Sequence, residues 1–349
     1  MLNFINSNIE NVSVHHIGNK LNDEGLILSK SELNISDNKL RELLLKYFLY
    51  PFKTEEFYSF SFTNEDFRLN PLYVFASEIF SNNNDFHKKS VDIAKHLFEV
   101  SNHPQIKSGD LFITYFSNAI INEKKTEAIG IFKSDNRQEF LKLDVQNNIF
   151  KMHYEDGINI EKLDKGCIIF NLNKKSGYEL CIVDKLNKSS EAQFWKENFL
   201  MLKPLNNDFN QTKFFLNLAK EYTLHKFPEE FQTSKIDQID ILNRSIEYFK
   251  SHEQFDKNEF KRTVFNDTGV IKSFNNFEQS RYENNNSFVV EDNFEISNSA
   301  VKNQAKVFKS VLKLDNNFHI YIHGNKNLIE KGIDKDGRKY YKIYFENEE

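Results

Sequence analysis

The sequence predicts an α+β protein: an N-terminal antiparallel meander flanked by helices, a helical middle, and a small, mostly-β C-terminal unit. Three patterns lead there. Between residues 111 and 183, short strands follow one another across short turns, which argues for antiparallel pairing. On both sides of that stretch, apolar residues recur at i, i+3, i+4 and i+7, the period of a helix with one buried face. Near the C-terminus, Asp336 and Gly337 separate two further strands at 328–333 and 339–345, a strong hairpin signal.

Residues 15–17 and 25–28 read as short strands around a turn. A first helix follows, with Ser36 as cap and Leu40, Leu43, Leu44, Tyr47 and Phe48 on one face, and Pro51 stops it. Residues 57–62 alternate as a strand. Asn70 and Pro71 open a second helix as cap and first helical residue, with the stripe Leu72, Phe75, Ala76, Ile79 and Phe80. A third helix carries Val91, Ala94, Leu97 and Phe98 and ends before Pro104. The meander strands are expected at 111–116, 128–132, 140–143, 149–153, 167–172 and 178–183.

From residue 191 the pattern is helical again. Phe194, Trp195, Phe199 and Leu200 form one face, Phe214, Leu218 and Tyr222 the next, and Ile236, Ile239, Leu242, Ile246 and Phe249 a third. Asp256 with Glu259 is a capping-box pattern ahead of Phe260 and Val264. Residues 275–287, rich in Asn and Glu, read as a loop. In the tail, 299–305 reads as one or two helical turns, and 308–314 as a strand that turns through Asn316 and Asn317 into 318–323. The expected domains are 1–205 (α+β, with the sheet), 206–287 (helical) and 288–349 (basic, β-rich).

With 39% hydrophobic and 14% aromatic residues in 349, the chain has the apolar surface for a large core, which excludes global disorder. No apolar stretch approaches about 18 residues, so no membrane span is expected. Residues 1–14 lack the basic head and apolar run of a secretory signal. Cys167 and Cys181 sit in strand patterns, as buried free thiols do, and a cytoplasmic location fits.

Charge is distributed unevenly. The chain carries a net −5, yet residues 299–345 hold Lys302, Lys306, Lys309, Lys313, Lys326, Lys331, Lys335, Arg338, Lys339 and Lys342 against only Asp315, Glu330, Asp334 and Asp336. One reading is phosphate contact, in which each cation releases counterions from a polyanion. On a helix, Lys302, Lys306, Lys309 and Lys313 share a face. On a strand, Lys309 and Lys313 do. The other reading is a solvated surface whose edge-strand lysines discourage aggregation. Tyr321, Tyr340, Tyr341 and Tyr344 among these cations read either as base-stacking platforms or as ordinary strand residues, half of them in the core.

Catalytic and metal signatures are missing from the sequence. It has no G-x-S-x-G, no P-loop and no G-x-G-x-x-G. His15 and His16 are adjacent, so on a strand they point to opposite faces. His319 and His323, on a strand, stand about 13 Å apart. Asp334, Lys335, Asp336 and Gly337 resemble a fragment of a calcium loop without its remaining ligands, and a hairpin turn explains them better. Trp195 reads as a core anchor rather than a binding platform. No cofactor, metal or catalytic residue is expected.

Four segments carry a family resemblance. They are Val-Ser-Val-His-His-Ile at 12–17, Leu-Asp-Lys-Gly at 163–166, Ser-Glu-Ala-Gln-Phe-Trp-Lys-Glu-Asn-Phe-Leu at 190–200, and the tail from Phe308 through Leu312, Asp315 and Tyr321 to Gly324. In these the chain resembles the 37-kDa nucleoid-associated bacterial protein family (NdpA/YejK-like). The resemblance implies association with the bacterial nucleoid and contact with double-stranded DNA, and it carries over no catalytic residues.

The expectation is therefore a non-enzymatic nucleoid-associated protein that binds double-stranded DNA with little sequence preference. Its contacts would be Lys302, Lys306, Lys309, Lys313, Lys326, Lys335, Arg338, Lys339 and Lys342. The alternative is an adaptor for a DNA-processing enzyme that does not itself touch DNA. A third class, a nuclease built on scattered carboxylates, would reveal itself by chelator-sensitive cleavage.

Overall fold

The computed structural model describes residues 2–53, 55–63, 66–184, 194–284, 288–308, 311–315, 317–322 and 326–347. The chain divides into two compact units, Met1–Leu205 and Asn206–Glu349. The class is α+β.

The first unit is built on strands β1 (Leu2–Asn3), β2 (Asn8–Ile17), β3 (Leu26–Ile27), β4 (Phe57–Phe60), β5 (Gly109–Ile121), β6 (Lys124–Ser134), β7 (Gln138–Gln146), β8 (Ile149–Gly157), β9 (Lys165–Phe170), β10 (Glu179–Asp184) and β11 (Leu202–Pro204). Its sheet runs β11-β4-β10-β9-β6-β5-β2-β3, with β1 also on β5 and every pairing antiparallel. The predicted six-strand meander is corrected here. β6 pairs directly with β9, and β7–β8 leaves the sheet as a separate two-stranded hairpin turning at Asn147 and Asn148, both at positive φ. The physical reason lies in burial. Residues 128–132 and 167–170 are continuous apolar runs suited to a sheet covered on both faces, whereas the 138–157 segment alternates and so fits a ribbon with one polar side.

Helices α1 (Asn38–Leu49), α2 (Pro71–Ser81) and α3 (Phe86–Val100) cover that sheet. α2 and α3 pack Leu72, Ile79, Ile93 and Leu97 on one face, against Ile113, Ile129, Ile169 and Trp195. On the other face α1 packs Tyr47 and Phe48 against Phe112, Phe132 and Phe170, and the Phe48 and Phe132 rings stack at 4.3 Å. The cap of α1 is Asp37, not Ser36: its carboxylate accepts the Leu40 N–H. Leu40 is left at the exposed end of the helix. Asn70 caps α2 as predicted, and its buried amide also donates to the Ser61 and Leu200 carbonyls, tying the helix start to the sheet edge. Residues 194–199 form a π-helical turn with Phe194, Trp195 and Phe199 buried, and the start of that expected helix, 191–193, lies outside the described residues.

The second unit contains α4 (Asp208–Glu221), α5 (Lys235–Ser251), β12 (Gln254–Asp256), α6 (Thr268–Asn284), β13 (Asn293–Glu295), α7 (Asn298–Ala305), β14 (Val311–Leu314), β15 (Phe318–Tyr321), β16 (Ile329–Ile333) and β17 (Lys339–Ile343). Phe215 sits at its centre among Phe249, Phe255, Phe260 and Phe274. Residues from α4 to α6 share this core with Val290, Phe294, Val301 and Phe308. Two predictions shift here. The buried stripe of α4 is Phe215, Leu216, Ala219 and Tyr222, with Phe214 only half-buried, because the helix is covered over more than one face. The expected loop at 275–287 is helical through Asn284, since Val270, Phe274 and Phe277 anchor it and Asn275 and Asn276 face solvent, and 285–287 lie outside the described residues. The Asp256 cap forms, but Glu259 accepts from Tyr248 Oη, and the reciprocal capping box is at Ser234 and Asp237 instead.

Candidate nucleic-acid interface

The basic residues of the tail stand on α7, two hairpins and the turns between them. In β14–β15 the register sets Val311 opposite Tyr321, Leu312 opposite Ile320, Lys313 opposite His319 and Leu314 opposite Phe318. Partners across an antiparallel pair share a face. Leu312 and Ile320 therefore turn inward, where they meet Ile239 of α5, and Lys313 and His319 turn outward. Asn316 of the expected turn lies outside the described residues, as does His323.

In β16–β17, Ile329 faces Ile343, Lys331 faces Tyr341 and Ile333 faces Lys339, all on one side of the ribbon. Glu330 with Lys342, and Gly332 with Tyr340, occupy the other. Tyr341 is half-buried against the α5 cluster, and burial raises its phenol pKa. The Tyr340 ring lies over Gly332, where a Cβ would stand 2.3 Å from it, so a side chain there would displace the exposed ring. The turn is longer than the two-residue form expected. Asp334 accepts the Asp336 and Arg338 N–H groups, Gly337 adopts φ +79°, and the Gly337 N–H returns to the Asp334 carbonyl at 3.1 Å. Asp334 is thus occupied as a turn brace.

Eight of the nine predicted contact residues fall among the described residues. Lys302 is exposed on α7, and Lys306 follows that helix. Lys313, Lys335, Arg338 and Lys339 are exposed and, among the described residues, form no ion pair; Lys331 is the same. Lys342 is exposed and donates to Tyr344 Oη at 2.7 Å, a bond that raises its pKa. Lys326 differs: its ammonium lies 3.3 Å from Asp237 and 3.7 Å from Asp240, both on α5. Lys309 lies outside the described residues. The structure brings Lys335, Arg338 and Lys339 together at one hairpin tip, sets Lys339 and Lys342 on opposite faces, and pairs Lys326 with carboxylates from elsewhere in the unit.

A cleft of about 400 Å³ beside Lys326 is lined by Asp237, Arg244 and Asp267 as well as by that lysine. Burial pushes the Asp237 carboxyl up, but hydrogen bonds from Ser234 and Lys326 outweigh it and hold the group below its ordinary range. With both signs in its lining, the cleft does not favour a polyanion.

The other candidates resolve into packing. His15 is buried, accepting the Ser29 N–H at Nδ1 and contacting Ser90 Oγ through Nε2 at 3.0 Å. Burial, with the neighbouring His87, lowers its pKa to about 4. His16 contacts Asp110 at 2.8 Å. Among the described residues, no group of three or more His, Cys, Asp and Glu is placed to hold a metal ion. Cys167 and Cys181 are free and buried, and burial raises both thiol pKa values. Among the described residues, no helix is long and apolar enough to cross a membrane.

Sequence reasoning missed two buried charge clusters. Lys133 and Lys165 both contact Asp135, and Lys257 and Lys261 both contact Glu278 at 3.1 Å. A lysine inside an apolar strand run, as at Lys133 after residues 128–132, was the one signal that could have found the first.

An antiparallel sheet covered by helices in one unit, and a helical unit that ends in two lysine-bearing hairpins in the other, make this an α+β protein. The chain belongs to the family of the nucleoid-associated protein YejK, whose family model matches residues 13–338. No curated protein matches the chain.

Proposed function

We propose that this chain is a non-enzymatic nucleoid-associated protein that contacts double-stranded DNA, with little sequence preference, through its basic C-terminal surface. What carries the reading is the set of exposed cations at 302–342 that, among the described residues, have no carboxylate partner, in a chain of the nucleoid-associated family. Lys302, Lys306, Lys313, Lys335, Arg338, Lys339 and Lys342, with Lys309, would touch phosphates. Lys326 is better read as a tether to α5. Lysine contacts to phosphate carry no sequence information, so such contact would position the protein without selecting sequence. Duplex binding followed across salt concentrations tests this, because the slope counts phosphate contacts. Changing Lys313, Lys335, Arg338 and Lys339 to Glu should flatten that slope. An unchanged slope and affinity would remove the tail from DNA binding.

A second reading has a specific observation behind it. Lys339 and Lys342 face opposite ways, and Lys326 is neutralised, so the positive charge is not gathered on one flank. In this reading the chain is an adaptor for a DNA-processing protein and makes no direct DNA contact. Partners that stay bound after complete nuclease digestion, together with an absence of duplex binding at low salt, would favour it.

A further inference from the structure

Four two-stranded ribbons are present among the described residues, and three rest at least part of their apolar side on the protein, although Ile333 and Ile343 of β16–β17 stay exposed. Phe255 and Phe294 of β12–β13 stack at 4.5 Å in the core, and both tail hairpins pack on Ile239. The β7–β8 ribbon does not. Its register places Leu141 opposite Tyr154, Leu143 opposite Met152 and Val145 opposite Phe150, all on one face. These six side chains are 54–78% exposed. The opposite face is mostly polar, with Lys142 bonded to Glu155 at 2.9 Å and His153 lying 3.6 Å from Asp144, and it carries Phe140 and Ile149 at its two ends. The ribbon is amphipathic, and its apolar side is bare.

We propose that β7–β8 is a dimerisation arm whose apolar face packs on the same face of a second copy of this chain. The area supports that occupant. Six such side chains, two of them aromatic, present on the order of 800 Å² per copy, which is the per-partner area of a standard stable interface and more than a monomer usually exposes as one patch. An isolated two-stranded hairpin is marginal in water, and a second layer on its apolar face would stabilise it. Charge argues against two rival occupants, nucleic acid and anionic lipid. The arm carries Glu139, Asp144, Glu155 and Asp156 against Lys142 and Lys151, a balance that repels nucleic acid and anionic lipid.

Charge also fixes the arrangement. Glu139 and Asp156 oppose each other on the apolar face at the base of the arm. Packing base to base would gather four carboxylates, so the arms run antiparallel about the two-fold axis. The central pair, Leu143 and Met152, then lies at the axis, and each Asn147–Asn148 turn lies over the other copy's base carboxylates.

Sedimentation of the full chain over about 0.1–100 μM should show a monomer–dimer equilibrium with micromolar or tighter affinity. Leu143→Glu with Met152→Glu should weaken it at least about 100-fold, since carboxylates would be buried unpaired at its centre. Lys142→Ala, on the polar face, should leave it unchanged. Should the double variant fail to fold, Leu143→Cys decides in an otherwise native chain. It should form a disulfide-linked dimer faster than Val145→Cys, because only the central position meets its own copy, and the native cysteines are buried. A wild type that stays monomeric throughout, or a dimer untouched in the folded double variant, would overturn the proposal. Equal trapping at 143 and 145 would overturn the antiparallel arrangement.

Discussion

In the unit Met1–Leu205, Lys133 and Lys165 face each other across β6 and β9, and both reach Asp135. In the unit Asn206–Glu349, Lys257 and Lys261 lie one helical turn apart, and both reach Glu278 on α6. The difference is in the support around each carboxylate. Asp135 is itself almost wholly buried, and Lys133 also donates to the Lys107 carbonyl at 2.6 Å. Glu278 also accepts from Tyr282 Oη, and Lys257 has a second carboxylate, Asp292, at 2.7 Å and largely exposed. The tail lysines form a third case, exposed and mostly unpaired. The same residue type thus braces two cores and decorates one surface, and the position of a carboxylate decides which.

The largest expected effect breaks the first of these clusters. Asp135→Asn replaces the anion that two buried ammonium groups share, and should destabilise the first unit by about 3–5 kcal/mol. Glu278→Gln should cost less, about 2–3 kcal/mol, because Asp292 still holds Lys257 at the solvent edge. Urea denaturation of the full chain measures both, with Trp195 reporting the first unit alone and far-ultraviolet dichroism the helices of both units, so that the second follows by difference. A larger loss for Glu278→Gln would show that the exposed Asp292 contributes nothing.

Acid should separate the units further. His15 binds its proton near pH 4 when folded and near 6.5 when unfolded, so the unfolded chain holds more protons between those values. Its contribution to stability is therefore full above pH 6.5 and is lost as pH falls toward 4, about 1–3 kcal/mol in all. His96, also in the first unit and also held low by burial, adds to the same trend. In the second unit the depressed groups are the carboxylates Asp237, Glu230 and Asp292. Their contribution is present above the ordinary carboxylate range and is lost only at lower pH. The Trp195 transition should weaken first on acidification, and His15→Asn should flatten its dependence between pH 6.5 and 4. An equal response in both units would contradict this.

Much of this fold was legible from residue order. Asn70 with Pro71, the stripe of α5 and the Asp336 and Gly337 hairpin are local signals, and the chain obeys them. What was not legible is tertiary. Nothing near Lys133 indicates that Lys165, on a neighbouring strand, will meet the same Asp135. Nothing near Lys326 indicates that Asp237 and Asp240, some ninety residues earlier, neutralise it. The departure of β7–β8 from the sheet was readable in principle from its alternation, but a meander of short strands masks it. A charge run in a sequence is only a loose bound on a charged surface, since folding brings charges of either sign beside it, as Asp237 and Asp240 stand beside Lys326.

The smallest effect on stability tests that bound most directly. Lys335 and Arg338 stand at a hairpin tip with no ion pair among the described residues, so changing both to Glu should move the denaturation midpoint of the second unit by no more than about 0.5 kcal/mol. If the tail contacts phosphates, the same pair should lower the salt slope of duplex binding by about 2, one for each cation. Lys326→Met should do the reverse. It strips α5 of the cation held between Asp237 and Asp240, costs about 1 kcal/mol where the hairpins dock, and leaves the slope unchanged because that charge was never available to a phosphate. If Lys326→Met lowers the slope as much as Lys335→Glu does, the ion pairs to α5 do not persist in solution, and all the tail's cations count alike.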